Sequence, residues 1–144
     1  MPSFSSTLAD LTASGPTLQV SVGPSRELIA TLSALGQTIA APSTVEALID
    51  TGAQTTVINP ETVRRLAIRP VGVVQINTPS TTAPLLCNRF HINVYLSESF
   101  AVENVFAIEA PMGGLPYQCL IGRDILRRAS FNYVGSANQF TLTF

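Results

Sequence analysis

The stretch that decides the fold is ALIDTGAQTTVI, residues 47–58. Three apolar residues lead into Asp50, an Asp-Thr-Gly turn follows, and a second apolar run begins at Thr55. Aspartate is depleted from strands and is costly to bury without hydrogen-bond partners. It is common in turns, where its side chain bonds nearby backbone groups. Asp50 is therefore either an ordinary turn residue or a reactive carboxylate that a buried strand delivers to a site.

The composition of the 144-residue chain predicts one folded domain and excludes several classes of function. The apolar fraction is 46% and charged residues make up 12%, which favours a folded chain that buries part of its surface against a partner. The formal net charge of -1 gives no basic footprint for nucleic acid. No apolar run approaches the roughly 18 residues that span a bilayer, and the first residues lack the basic start of a signal peptide. We therefore expect no membrane association and a cytoplasmic location.

The rare residue types limit the chemistry that the chain can perform. All eight basic residues are arginine, so no lysine amine can form a Schiff base. The single histidine, His91, lies in a strand-like run and is expected to be an ordinary strand residue rather than part of a catalytic triad. With Cys87 and Cys119 it supplies too few ligands for a zinc site, and both cysteines are expected to be small buried hydrophobic residues. We expect neither a metal nor a cofactor.

Hydrophobic periodicity predicts a single, mostly β domain over residues 16–144, preceded by a flexible arm at residues 1–15. Residues 78–84, TPSTTAP, form the polar tip of a predicted long hairpin. The predicted strands cover residues 16–23, 44–50, 55–58, 71–77, 85–96, 100–110 and 117–121, with two more around the turn GSAN near the end. This pattern is typical of a small closed barrel.

Two or three short helices accompany the predicted strands. Ser25 is a good N-cap for the segment RELIATLSAL, in which Leu28, Leu32 and Leu35 share a face. Asn59, followed by proline and glutamate, begins a second helix. The segment GRDILRRA, residues 122–129, predicts a third.

The stretch ALIDTGA, followed later by CLIGRDIL at 119–126, resembles the retropepsin family of aspartic proteases. Asp-Thr-Gly alone is weak evidence, because a tripeptide occurs by accident, but the flanking ALI and the later LIGRD make the combination specific. The resemblance covers roughly residues 16–144. The segments TPSTTAPLLCNRF and GQTIAAPSTVEALIDTGA look most like bacterial members. The resemblance implies an acid-protease β-barrel in which the hairpin at residues 71–96 is a flap over the substrate.

The resemblance also implies an aspartic endopeptidase that acts on polypeptides as a homodimer. Amide hydrolysis without a metal needs a water held between an acid and a base, and two neighbouring carboxylates that share one proton supply both. The chain offers one such aspartate, Asp50, so its mate would come from an identical subunit across a two-fold axis. The final segment, QFTLTF (139–144), is expected to pair across that axis.

Each neighbour of Asp50 receives a role from the resemblance. Thr51 would bond the partner's backbone, and Gly52 would allow a close substrate approach and unusual backbone angles. Leu120 would line a pocket, and apolar walls from Val57, Ile76 and Leu120 imply a preference for hydrophobic residues beside the cut. The expected substrate-binding residues are Ala53, Gln54, Val57, Ile76, Asn77, Thr78 and Leu120. The expected structural motif is Ile121, Gly122, Arg123 and Asp124, with Asp124 as a helix N-terminal cap.

Two features depart from the pattern of viral retropepsins. The residue two positions after Gly52 is usually acidic in those enzymes and pairs with the arginine that matches Arg123, but here it is Gln54. Arg123 must therefore bind a carbonyl, Asp124 or another carboxylate. The hairpin tip also lacks glycine, which predicts a stiffer tip or one that opens differently.

Two other functions are compatible with the sequence. The same fold could serve as a non-catalytic module for dimerisation or peptide binding, with Asp50 retained but unused. The chain could also be a dormant precursor that stays monomeric until residues 1–15 are removed. The intact Asp-Thr-Gly triplet favours the enzyme.

Overall fold

Residues 1–77 and 82–144 are described in a computed structural model, where they form ten strands, four α-helices and one 3-10 turn. The strands are β1 (Ser3–Thr7), β2 (Thr17–Pro24), β3 (Ser43–Ile49), β4 (Val57–Ile58), β5 (Gly72–Ile76), β6 (Leu85–Ser97), β7 (Phe100–Glu109), β8 (Cys119–Ile121), β9 (Ser130–Val134) and β10 (Gln139–Thr143). The helices are α1 (Leu11–Ser14), α2 (Arg26–Ala34), α3 (Pro60–Leu66) and α4 (Arg123–Leu126), and the 3-10 turn is Gly135–Ala137.

Six strands close on themselves, which confirms the predicted mostly β fold with a closed barrel. The hydrogen-bonded order β2-β3-β8-β4-β7-β6 returns to its start because β6 also pairs with β2. The β3–β8 and β4–β7 pairs are parallel, whereas the other pairs around the ring are antiparallel. Alternate residues of these strands point inward and fill the core; fully buried examples are Val22, Ala47, Ile58, Ile92, Val94 and Ile121.

The predicted long hairpin is formed by β5 and β6, and β5 lies outside the closed ring. The two strands pair in register from Gly72 opposite Arg89 to Ile76 opposite Leu85. The connection between Ile76 and Leu85 includes residues 78–81, so the predicted substrate contact of Thr78 lies outside the described residues.

A second sheet of three strands corrects the expected flexible arm at residues 1–15. Its order is β1-β10-β9, and β1 pairs with β10 from Ser3 opposite Thr143 to Thr7 opposite Gln139. The ring of Phe4 lies 5.7 Å from that of Phe100 and 6.3 Å from that of Phe144. The arm is ordered because β1 pairs with β10 and Leu11 enters the core, although its apolar residues are too widely spaced in sequence to give a clear periodic signal.

The same sheet also corrects the expected role of β10. Both of its edges are hydrogen bonded within the chain, to β1 on one side and to β9 on the other, so β10 has no free edge to pair across a two-fold axis. Phe140 and Leu142 are buried in the core. Removing residues 1–15 would uncover this strand, which argues against a precursor that trimming activates.

The two helices with clear start signals begin where the sequence predicts, but only one of them contributes to the core. The Ser25 side chain accepts a hydrogen bond from the backbone N–H of Leu28 (3.2 Å), and Asn59 caps α3 in the same way. Three residues of α3 are buried, whereas α2 buries none and its expected apolar face stays partly exposed, with Leu35 at 65%. None of the described helices is long and apolar enough to cross a membrane.

We predict that Leu11→Ala lowers the free energy of unfolding by about 2–5 kcal/mol, the usual range for truncating a buried leucine. Leu11 is 1% exposed and packs in the main core although it lies in the segment expected to be loose. Urea denaturation followed by circular dichroism measures the change. Leu35→Ala, at the exposed C-terminal cap of α2, is the matched control and should change stability by less than about 0.5 kcal/mol. Equal effects of the two substitutions would contradict the placement of Leu11.

Candidate active site

Asp50 follows directly after β3 and stands half-buried at the start of a tight turn. Its backbone N–H donates to the carbonyl of Ile121 (2.9 Å), which ties the residue to β8. Its side-chain Oδ1 accepts a hydrogen bond from the backbone N–H of Gly52 (2.9 Å), and the N–H of Ala53 donates to the Asp50 carbonyl (3.2 Å). The local bonds of a turn aspartate are therefore present, and they fix the orientation of the carboxylate.

The turn that carries Asp50 is held from the opposite side by the start of α4. The N–H of Arg123 donates to the carbonyl of Ala53 (2.9 Å), and the N–H of Asp124 donates to that of Gln54 (3.2 Å). The guanidinium Nη1 of Arg123 donates to the carbonyl of Thr51 (2.8 Å). Of the partners that the sequence left open for Arg123, the structure selects a backbone carbonyl.

Thr56 is the centre of a polar network that the sequence analysis missed. It is fully buried, and its hydroxyl donates to Asp124 Oδ1 (2.8 Å) while accepting from the N–H of Gly122 (3.2 Å). The backbone N–H of Thr56 also donates to the Asp124 carboxylate (3.0 Å to Oδ1). A threonine in the apolar run TTVI reads as a strand residue, and only its partners 66 and 68 positions away in sequence reveal its role.

Asp124 has a different role from the predicted helix N-terminal cap. The N-cap of α4 is Gly122, which makes no side-chain cap bond, and Asp124 lies in the first turn of the helix. Its Oδ1 accepts from the N–H of Ile125 (3.0 Å) as well as from Thr56. The carboxylate prefers Thr56 because that residue offers a hydroxyl and an N–H together in a buried position.

Gly122 is required by the close approach of two chain segments. A Cβ atom added to it would lie 2.6 Å from the carbonyl carbon of Thr55 and 2.8 Å from the backbone nitrogen of Thr56. Any side chain would separate α4 from the Asp50 turn, because backbone atoms cannot yield as a flexible side chain can.

Gly52 and Thr51 meet the expectations in part. Gly52 does not have the unusual backbone angle that the resemblance implied, because the positive-φ glycines among the described residues are Gly15, Gly36 and Gly114. Its lack of a side chain still matters, since a Cβ there would lie 3.1 Å from Asp50 Oδ1. Thr51 is exposed, and its expected bond to a partner chain stays a prediction.

Asp50 lines a cleft of about 1130 Å³, which lies between the Asp50 turn, the β5–β6 hairpin, β7 and α4. Ile76 and Asn77, at the end of β5, line the cleft together with Asp50 although they are distant in sequence. The predicted site residues that line it are Asp50, Gly52, Ala53, Gln54, Val57, Ile76, Asn77, Arg123 and Asp124. The sequence did not predict the contributions of β6, β7 and the segment after α4, where the lining residues include Arg89, Asn104, Phe106, Ile108, Arg127 and Arg128.

Leu120 does not line this cleft, so that expectation is wrong. Alternation along β8 buries its neighbours Cys119 and Ile121 in the main core and turns Leu120 to the opposite face. There it packs against a second apolar cluster that contains Val57 and Ile108. Leu120 therefore stands behind the wall of the cleft and supports it.

The family comparison matches the part of the chain that builds this site. The family model described as gag-polyprotein putative aspartyl protease matches residues 37–128, which include the Asp50 turn, the hairpin and α4. The chain belongs to this aspartyl protease family. No curated protein matches the sequence.

The chain is similar to solved structures described as retropepsin-like or retroviral-type proteases, and the first of the three that follow shares its fold. The retropepsin-like aspartic protease from Rickettsia conorii has a TM-score of 0.55 at 11% identity, over 99% of this chain and 93% of that one. The EIAV protease complexed with the inhibitor HBY-793 has a TM-score of 0.48 at 17% identity, over 78% and 86%. The retroviral protease-like domain of Ddi1 from Leishmania major has a TM-score of 0.47 at 21% identity, over 88% and 87%.

Neither cysteine lines the cleft that contains Asp50. Burial, followed by the negative charge of Asp124, raises the pKa of the Cys119 thiol to about 12. Burial and then Glu109 raise the pKa of Cys87. Both thiols are buried, and neither forms a disulfide. Because a raised pKa keeps them protonated at neutral pH, neither is suited to be a nucleophile.

We predict that Thr56→Val lowers the free energy of unfolding by about 1–3 kcal/mol, the cost of leaving buried polar groups without partners. The substitution keeps the size of the side chain but removes the hydroxyl that joins Asp124 to the N–H of Gly122. Thr31→Val, on exposed α2, also removes a hydroxyl bonded to a carbonyl and is the control. Thermal and urea unfolding measure both variants. A loss no greater than that of Thr31→Val would contradict the role of Thr56.

We predict that stability declines above about pH 9 in part because of Cys119. The ordinary thiol pKa of 9.0 applies to the unfolded chain, whereas the folded value is about 12. Between these values the unfolded state loses its proton and the folded state keeps it, so the free energy of unfolding falls as pH rises. Cys119→Ala should be less stable at pH 8 but should lose less stability between pH 9 and 11, measured by urea denaturation. Parallel declines in the two proteins would refute this.

Proposed function

We propose that the chain is an aspartic endopeptidase in which two identical subunits each contribute Asp50. One observation carries this proposal. Two carboxylates line the cleft, and that of Asp124 is occupied by Thr56 and Ile125. Asp50 lines the same cleft, and the one hydrogen bond that its carboxylate receives from the described residues is from the N–H of Gly52 to Oδ1, which leaves Oδ2 without a donor among those residues.

The chemistry of a carboxylate pair explains why a second copy is needed. One carboxylate, ionised, takes a proton from water while the water oxygen attacks the peptide carbonyl carbon, and the other, protonated, donates its proton to the carbonyl oxygen. The tetrahedral diol that results then collapses: the carboxyl that took the proton from water gives it to the amine nitrogen, the C–N bond breaks, and the other carboxylate takes a proton from a diol hydroxyl, which restores the starting state. Two carboxylates in contact cannot both ionise cheaply and therefore share one proton. The mechanism uses no metal and no cofactor.

A homodimer with a two-fold axis through the active site supplies the second Asp50. The turn is suited to this role because it is exposed at Thr51 and Gly52 and is fixed from behind by Arg123. In the proposed dimer the Thr51 hydroxyl bonds the partner's turn. Since β10 is fully paired within the chain, the sheet edges left for a partner among the described strands are those of β1, β5 and β9.

The β5–β6 hairpin is the proposed flap. Its strand β5 presents Ile76 and Asn77 to the same cleft that Asp50 enters from the other side. A polypeptide would lie extended between the two and add strand-like hydrogen bonds. Val57, Ile76 and Ile108 would contact apolar side chains beside the cut.

We predict that Asp50→Asn lowers kcat for peptide hydrolysis by at least about 100-fold, the lower end of what general acid–base catalysis contributes. The substitution keeps the shape and the Gly52 hydrogen bond but cannot accept a proton. A library of peptides with central apolar pairs, incubated across acid to neutral pH and analysed by mass spectrometry, measures the loss. Asp10→Asn, at the exposed cap of α1, is the control and should keep full activity. If the Asp50→Asn variant retains the function of the wild-type protein, the non-catalytic dimerisation or peptide-binding module is favoured instead.

The Asp50→Asn variant also tests whether two subunits share one active site. Adding an equal amount of Asp50→Asn protein to a fixed amount of wild type should reduce activity to about half, because random association leaves half of the wild-type chains in wild-type dimers. Adding Asp10→Asn protein should raise it. If the wild-type activity is unchanged after Asp50→Asn protein is added, under conditions where subunits exchange between dimers, the two-chain site is refuted.

A further inference from the structure

Arginine is concentrated around the cleft that contains Asp50. The chain has eight basic residues and nine acidic ones, for a net charge of -1. Four of the arginines line the cleft, namely Arg89, Arg123, Arg127 and Arg128, against two carboxylates, Asp50 and Asp124. The cleft therefore carries an excess of positive charge on a chain that is slightly acidic as a whole.

Three of the four cleft arginines contact neutral groups. Arg123 Nη1 donates to the carbonyl of Thr51 (2.8 Å), and Arg128 Nη1 donates to the carbonyl of Glu103 (3.0 Å). The guanidinium carbon of Arg89 lies 4.5 Å from the centre of the Phe106 ring. These contacts fix the positions of the guanidinium groups without neutralising them.

The ion pairs among the described residues involve arginines outside the cleft. Arg26 pairs with the carboxylate of Glu103, and Arg64 and Arg65 both pair with Glu61 on α3. The Glu103 carboxylate is thus engaged by Arg26, and Arg128 binds only the backbone of that residue.

Each cleft guanidinium keeps hydrogen-bond donors for a ligand. Arginine has five N–H donors in a planar fork that fits a carboxylate with two parallel bonds, and each carbonyl contact described above uses one of them. Positive groups that converge in a cleft also raise the local concentration of anionic ligands. The apolar residues Val57, Ile76 and Ile108 line the same space, so the cleft offers both apolar contacts and positive charge that forms no ion pair with the residues that the structure describes.

We propose that this cleft selects acidic peptides, in which apolar residues beside the cut are flanked by glutamate or aspartate. For cleavage, this inference rests on the proposed function; for peptide binding, it rests on the cleft alone. Arg127 and Arg128 are the proposed specificity determinants, because both are exposed beside the cleft and neither holds the Asp50 turn.

The first test compares peptides that share a central apolar pair and differ only in their flanks, which carry glutamate or glutamine. The glutamate peptide should have a kcat/KM higher by about 5-fold, the upper range for one partly exposed ion pair. The ratio should fall towards one as salt is raised, because ions screen exposed charges. Equal kcat/KM values for the two peptides at low salt would overturn the inference while leaving the protease intact.

Charge substitutions assign the preference to the named residues. Arg127→Gln with Arg128→Gln should remove most of the preference, by lowering kcat/KM for the glutamate peptide towards the value for the glutamine peptide. Arg64→Gln with Arg65→Gln removes the same charge from α3, outside the cleft, and should leave the preference unchanged. Arg127→Glu with Arg128→Glu should favour a lysine-flanked peptide instead, a gain that unfolding cannot produce. An unaltered preference in the charge-reversed variant would overturn the assignment.

Binding separates this inference from the proposed function. Fluorescence anisotropy with Asp50→Asn protein and labelled peptides measures affinity when no cleavage occurs. Tighter binding of the glutamate peptide supports the inference. If the wild type nevertheless cleaves neither peptide, the proposed protease activity is contradicted and the binding preference is not. Equal affinity for the two peptides, or no binding of either, would overturn the inference whatever the wild type cleaves.

Discussion

The hydrogen bonds between the Asp50 turn and the backbone of residues 121–124 are the constraint on which the site depends. They join two segments that are far apart in sequence, and the contact is close enough that residue 122 must be glycine. Backbone groups orient the turn, and the exposed Arg123 side chain adds one further hydrogen bond to it. The buried Thr56 and the half-buried Asp124 satisfy one another's polar groups beside the turn.

The features that follow from short-range signals could be predicted from the sequence. The caps at Ser25 and Asn59 begin helices as expected, the alternating runs form strands, and the order of elements gives the closed barrel. The Asp-Thr-Gly triplet and the later LIGRD identify the two segments that meet at Asp50. These signals succeed because capping, alternation and tight turns are decided by neighbours within a few residues.

The features that depend on distant partners could not be predicted. β1 is a polar segment that is ordered by its pairing with β10. β10 is a central strand because β1 and β9 pair with its two edges. The role of Thr56 requires Asp124, and Leu120 faces away from the cleft because of its phase along a three-residue strand. The arginines that give the cleft its charge come from β6 and α4, and no local pattern places them together.

The pairing of β1 with β10 has a consequence for how the chain folds. Residues near opposite ends of the chain are neighbours, with the N–H of Phe144 donating to the carbonyl of Pro2 (3.0 Å). During synthesis, β1 leaves the ribosome early and has no partner until β10 follows. Contacts of such long sequence separation carry a large closure entropy and slow folding. The three-stranded sheet can therefore form only after the barrel residues have been made, and a nascent chain should remain without a complete fold until its last strand emerges.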